Sequence, residues 1–340
     1  MTADEHLPPT AAAPESITLA AGDGALTLVP ALGGKLSSLR LAGREWLWTS
    51  DVIPRAVPAE ADRADDASYV RTADSGGYDE CFPTVGPCTL PADLPAWAGL
   101  RLPDHGELWS RQPDVTVGHD DGGGGTVTAT WHGARMPYDF GRVARLRADG
   151  TMEMDYELSN AGDVPMPFIW SVHPLLPLTD RTTLHLPDGA RVRLDAAHGI
   201  VFDGAVDVGR WPLLYVGGTA TSFIRPAAVK DAYACKLVLD LEPGPLVASV
   251  EEADATLSVA MDGAEVPNLG VWINDRGWSG VPGAAPYRNF GFEPCIGAPD
   301  SLARALGSDW RSAAWLEPGA ARRWTLSWSA ARSEIHDWHL

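Results

Sequence analysis

Glycine and proline interrupt this chain so often that long regular helices have nowhere to form. The 340 residues include 35 Gly and 28 Pro, and hardly any stretch keeps an apolar 3.6-residue period beyond two turns. Short alternating runs take their place. Ile17 to Leu19, Leu26 to Val29, Leu36 to Leu41 and Trp46 to Trp48 are separated by turns such as Ala21-Gly22-Asp23-Gly24 and Ala42-Gly43-Arg44, the pattern of an antiparallel meander. The rhythm returns at Val115 to Val117, Thr126 to Trp131, Gly141 to Leu146 and Met152 to Leu158. The turns there, Asp120 to Gly125, Ala148-Asp149-Gly150 and Asn160-Ala161-Gly162-Asp163, tolerate positive φ. A third strand-rich block covers about 182–195, 235–260 and 268–274, with an ill-defined segment at 197–234, and the chain closes on the alternating Trp324-Thr325-Leu326-Ser327-Trp328. One helical turn or two is expected over Ser301 to Leu306, capped by Asp300 or Ser301. The expected fold is all-β, a large β-sandwich of mainly antiparallel strands. It has one domain at 16–332, a disordered leader at 1–15 and a tail at 333–340.

Charge narrows the partners. With 45 Asp and Glu against 26 Lys and Arg, the formal charge is -19, which repels phosphate backbones and anionic lipid at long range. Nucleic acid and membrane are not expected as partners, and a neutral small molecule is. Only Lys35, Lys230 and Lys236 carry ammonium groups, so an anion site would have to use arginine. The acidic start of the chain lacks the basic and apolar regions of a secretory signal, and no stretch approaches the roughly 20 apolar residues of a membrane helix. A cytoplasmic monomer or homodimer is the expectation. Cys81, Cys88, Cys235 and Cys295 have no disulfide or metal-knuckle spacing and are expected as packed thiols, with no metal and no cofactor.

Residues 50–104 are rich in Pro, Ala and Asp, and an irregular stretch of that length inside a β protein suggests a functional loop. Around it, three distant segments place ionisable groups beside turn-forming residues: Asp104-His105-Gly106-Glu107-Leu108-Trp109, Trp170-Ser171-Val172-His173-Pro174 and Asn289-Phe290-Gly291-Phe292-Glu293-Pro294. If the fold joins them, His105, His173 and Glu293 form a metal-free acid/base site. Pro174 holds His173 extended, and strand alternation puts Glu293 on the face opposite Phe292. Asp79 and Glu80, adjacent acids in a Gly-rich loop, are candidates for binding hydroxyls. Among the aromatics, Trp109 and Trp272 are the expected cleft residues, ahead of Trp170, Trp278 and Phe82. Arg71 lies near the motifs and is a candidate contact, as are Arg101 and Arg288.

Taken in order, these segments resemble the aldose 1-epimerase (galactose mutarotase-like) superfamily over about residues 17–330. The resemblance rests on Gly33-Gly34 in an early strand turn, His105-Gly106 after a proline-containing loop, the strand leading to His173-Pro174, Phe290-Gly291-Phe292-Glu293-Pro294 and the late Leu316-Glu317-Pro318-Gly319 turn. It implies a β-supersandwich with a carbohydrate in an open cleft, and an isomerase that interconverts α and β anomers by opening and closing the ring. It also implies roles: Glu293 as general base on the anomeric hydroxyl, His173 as general acid on the ring oxygen, and His105 as a hydrogen-bonding partner that stabilises developing charge. The chain departs from the pattern at Pro174-Leu175-Leu176-Pro177-Leu178 and at Gly76 to Pro83, where the usual sugar-contacting Arg is missing. For the acid that often contacts sugar hydroxyls, Asp231 and Asp275 are the candidates. Two alternatives stand beside it: a lyase or hydrolase acting on a modified sugar or glycoside, and a non-catalytic carbohydrate sensor.

Overall fold

Strand alternation along the chain builds two large antiparallel sheets in the computed structural model, which describes residues 15–57, 67–119 and 124–332. One sheet has 13 strands, twelve along one path and the short Arg44–Glu45 paired beside Lys35–Leu41. Its path runs Ile17–Ala21, Gly24–Val29, Lys35–Leu41, Tyr78–Cys81, Trp170–Pro177, Arg288–Ile296, Asn268–Asp275, Tyr233–Asp240 and Arg191–His198, then on through Asp207–Arg210, Leu213–Val216 and Thr219–Ser222. The second sheet has eight strands, with Ala321–Arg332 and Met152–Asn160 at its centre.

The two sheets differ in how their faces are used. Tyr138–Leu146 and Met152–Asn160 bury every second residue, so the eight-stranded sheet has one apolar face and one wet one. In the larger sheet, Trp170–Pro177, Tyr233–Asp240, Asn268–Asp275 and Arg288–Ile296 are buried along nearly their whole length. Their inner face meets the other sheet, and their outer face is covered by loops that include His105 and Asp300. This second covering makes a buried polar site possible.

Between the sheets lies a continuous apolar core. Tyr156 stacks on Trp324 with centroids 5.4 Å apart, and Trp170 meets Trp324 edge-on at 4.8 Å. Inside that core sits an ion pair, Glu80 with Arg142. Glu80 accepts hydrogen bonds from Arg142 Nη1 (3.1 Å), Tyr156 Oη (3.1 Å) and Trp170 Nε1 (3.0 Å), and burial pushes its carboxyl up to about 7 although Arg142 works to lower it.

The segment at 197–234 is more ordered than its sequence suggests, with three strands of four residues each extending one edge of the large sheet. Strands that short carry too few alternations to register as a period. The helix near the end is Leu302–Leu306, and Ser301 Oγ caps it by accepting from the Arg304 N–H. The leader expected at 1–15, Glu15 apart, and the tail at 333–340 lie outside the described residues, as do 120–123 of the turn expected at Asp120 to Gly125. No helix among the described residues is long and apolar enough to cross a membrane.

Removing one partner of the buried ion pair leaves the other uncompensated. Arg142→Met is expected to lower the unfolding free energy by about 3–5 kcal/mol in urea titration, and Glu80→Gln with Arg142→Met is expected to lose less than the single variant.

Candidate active site

Residues directly opposed in an antiparallel ladder put their side chains on the same face, and that rule assembles the site. His173 pairs with Asp79, Gly270 with Glu293, and Leu36 with Tyr78, which sets Lys35 beside Asp79. The ladder between Trp170–Pro177 and Arg288–Ile296 is registered at Ser171↔Cys295 and Leu175↔Gly291, so His173 falls opposite Glu293. Lys35, Asp79, His173, Glu293 and Gly270 thus form one row across five adjacent strands. Neither Pro174 nor Pro294 can donate to the ladder, and both lie in the stretch where the pairing between these strands is interrupted.

Glycine then decides what fills the row. A Cβ at Gly270 would lie 3.2 Å from Lys236 Cε and 3.3 Å from Glu293 Cβ; without it, Lys236 reaches from the next strand and donates a hydrogen bond to Glu293 Oε2. A Cβ at Gly291 would lie 2.2 Å from Glu293 Oε1, so the carboxylate occupies the space above that glycine. Glu293 is consequently 0% exposed. Its Oε1 has no hydrogen-bond partner and lies 3.8 Å from His173 Nε2.

His105 arrives from the covering loop in a conformation that L residues rarely adopt, with φ 59°. Its N–H bonds to the Val85 carbonyl, and a Cβ on the following Gly106 would fall 2.1 Å from the Phe82 carbonyl oxygen. Only glycine lets the loop approach the sheet so closely. His105 Nδ1 bonds Asp104 Oδ1 at 2.9 Å, the ring stacks on Tyr69 at 4.1 Å, and its centroid is 5.0 Å from that of His173 at an interplanar angle of 84°.

Together these residues bound a cavity of about 210 Å³, lined by Val70, Asp74, His105, His173, Leu175, His198, Lys236, Trp272, Trp278, Asn289 and Asp300. Taking about 30 Å³ per water, this is the volume of roughly seven waters, a space for one small ring. Trp272 and Trp278 meet edge-on at 5.6 Å, and Asn274 fixes the second by accepting from the Gly277 and Trp278 N–H groups. Several buried polar atoms here lack a partner: Asp74 Oδ1, His173 Nδ1, and both Nδ2 and Oδ1 of Asn289. Unpaired buried donors and acceptors are costly.

The two histidines differ in proton affinity. Burial, reinforced by the positive charges of His105, Lys236 and Lys35, pushes His173 well below the ordinary 6.5. Burial also works against charge on His105, but Asp104, with Asp74 and Asp300 nearby, outweighs it and holds His105 above 6.5. Burial opposes the Lys236 charge too, yet Asp300 at 3.1 Å and Glu293 raise its proton affinity above that of an ordinary lysine. Burial pushes Asp74 and Asp300 up to about 6, with Lys35 and His105 pulling the first down and Lys236 the second.

Of the residues singled out in the sequence, His105, His173, Trp272 and the lower-ranked Trp278 line the cavity, and Glu293 lies just beneath His173 and Lys236. Asp79 is one step back, ion-paired to Lys35 at 2.7 Å and accepting from Tyr69. Glu80 does not reach the cavity, because alternation turns it into the core beside Arg142. Trp109 packs edge-on against Tyr69 and donates to the Asp104 carbonyl, so it supports the loop. Asp275 is held by Arg276 and Arg288, both through its Oδ1, at 2.9 and 3.0 Å. Asp231 is 97% exposed, and Arg71 is exposed on the helical turn Tyr69–Thr72 away from the lining. Lys236, Asp74, Asp300 and Asn289 also line the cavity, and no motif in the sequence marked them for it. One signal was present: Lys236 is the sole charge in Tyr233-Ala234-Cys235-Lys236-Leu237-Val238-Leu239, and a lysine in so apolar a strand must have a buried partner.

No protein-family model matches the sequence, and none of the curated proteins does. Solved structures do match in shape. The Slr1438 protein from Synechocystis sp. PCC 6803 is 18% identical, with a TM-score of 0.64 over 98% of this chain and 100% of that one. A galactose mutarotase-like protein from Lactobacillus casei ATCC 334 is 19% identical, with a TM-score of 0.62 over 93% of this chain and 100% of that one. A proposed aldose 1-epimerase from Klebsiella pneumoniae subsp. pneumoniae MGH 78578 is 15% identical, with a TM-score of 0.66 over 93% of this chain and 79% of that one. At these identities the likeness is one of architecture: the chain has the fold of the aldose 1-epimerase (galactose mutarotase-like) superfamily.

Proposed function

We propose that this protein is a sugar 1-epimerase that interconverts α and β anomers using His105 as proton donor and His173 as proton acceptor. The observation that carries this is the pair of imidazoles 5.0 Å apart on one small cavity, one proton-rich and the other proton-poor. Environments that push two titratable groups apart assign the acid and the base. His105 Nε2, with Nδ1 bonded to Asp104, gives its proton to the ring oxygen. His173, through the unpartnered Nδ1, takes the proton of the anomeric hydroxyl. The C1–O5 bond breaks, leaving an open-chain aldehyde, a neutral His105 and a protonated His173. Rotation about C1–C2 followed by the reverse transfers closes the other anomer and restores both rings.

Glu293 in this scheme is a positioning residue. It sits 3.8 Å behind His173 Nε2 and stabilises the imidazolium as it forms, while Lys236 offsets the carboxylate charge and keeps the resting His173 neutral. This differs from the roles implied by resemblance, in which Glu293 itself takes the proton and His173 gives one. Full burial of Glu293 and its bond to Lys236 favour the indirect role.

NMR saturation exchange between anomers across a panel of free aldoses tests the activity. His105→Asn and His173→Asn are each expected to lower the exchange rate by about 10²–10⁴, and Glu293→Gln by less than His173→Asn. Equal loss from Glu293→Gln would return the base role to the carboxylate, and no acceleration of any sugar would sink the proposal. The pH profile has a definite sign. The acceptor must be neutral, so activity falls as pH drops through the low value of His173; the donor must be protonated, so it falls again as pH rises through the value of His105. The plateau is expected to span 6.5, and a profile still rising well above it would remove His105 as donor.

A further inference from the structure

The cations around the cavity already have carboxylate partners. Lys35 is paired with Asp79 at 2.7 Å, His105 with Asp104 at 2.9 Å, and Lys236 with Glu293. Two carboxylates on the lining are left over. Asp300 is about one third exposed and shares Lys236 with Glu293. Asp74 has no ion pair among the described residues: it is 6% exposed, a backbone hydrogen bond from Gly76 supports it, and its Oδ1 has no partner. The indoles of Trp272 and Trp278 line the same cavity. A carboxylate and an aromatic face both attract cations, and the net charge of -19 draws cations toward the molecule from a distance. Among the described residues no arginine lines the cavity and the one lysine there is engaged twice over, so a phosphorylated or carboxylated sugar would meet repulsion without a free counter-ion among them.

We propose that the substrate is an amino aldose, a monosaccharide with a free ammonium group that Asp74 binds in the cavity lined by Trp272 and Trp278. This specifies the substrate class of the 1-epimerase proposed above and rests on it for the reaction, while the ammonium site itself stands on Asp74 and the cavity. The ligand places its positive charge where one buried carboxylate oxygen has no partner, and its hydroxyls meet Asn289.

Binding tests the ammonium site apart from turnover. The full chain is titrated at pH 7 with 2-amino-2-deoxyglucose, 6-amino-6-deoxyglucose, their N-acetyl forms, glucose and glucose 6-phosphate, following tryptophan fluorescence and heat. At least one amine is expected to bind about tenfold or more tightly than its N-acetyl form and than glucose. Asp74→Asn is expected to weaken binding of that amine about tenfold or more and so abolish its preference over the N-acetyl form. Glucose, an N-acetyl sugar or the phosphate binding as tightly as any amine overturns the proposal, as does an amine preference that survives in Asp74→Asn. The comparison among sugars on the unmodified protein decides the matter even if the variant does not fold. Anomer exchange on the same panel separates the two claims. Amine-selective binding without exchange sinks the epimerase and keeps the ammonium site; exchange on glucose as fast as on any amino sugar does the reverse.

Discussion

The buried contact between Lys236 and Glu293 organises the candidate site. Two charges removed from water survive only when each compensates the other, and here the compensation depends on strand register. Glu293 and Lys236 stand on strands separated by Asn268–Asp275, and they meet because the residue between them is Gly270. A Cβ at that point would crowd both Lys236 Cε, at 3.2 Å, and Glu293 Cβ, at 3.3 Å. A second glycine, Gly291, clears the volume that the carboxylate occupies. The position of Glu293 is therefore written in its glycine neighbours as much as in its own strand.

From that contact follows the difference between the histidines. His173 sits on the sheet among positive groups, beside a carboxylate whose charge Lys236 already offsets, so it rests neutral. His105 hangs from the covering loop with Asp104 as its own counter-ion, and the strained backbone that presents it is held by Gly106 packed on Phe82. One histidine is held by the ladder and the other by a tight turn, so their spacing depends on how the loop docks on the sheet. Tyr69, stacked on His105 and bonded to Asp79, joins the loop to the row of charges beneath it.

Much of the architecture was legible from punctuation and alternation. Gly- and Pro-rich turns between short apolar runs meant antiparallel strands, and the meander of Ile17–Ala21, Gly24–Val29 and Lys35–Leu41 is paired as its pattern implied. Where strands shrink to four residues, as from Asp207 to Ser222, the period is too short to be seen. His105, His173 and Glu293 were visible through the turn and proline chemistry around them. Asp79 and Glu80 looked equivalent as neighbours in a loop, yet a period of two sends one toward the site and the other into the core.

Local chemistry decides which segments extend and where they turn, because φ/ψ preference and side-chain alternation act over a few residues. It also suffices to mark Lys236 as a buried charge in need of a partner. It does not name the partner. Glu293 is 57 residues from Lys236, and the orphaned carboxylate of Asp74 belongs to a loop that looks like any other acidic turn. Proton affinity and ligand charge are sums over neighbours brought together by strand order and loop docking, so they exist only once the sheets have closed.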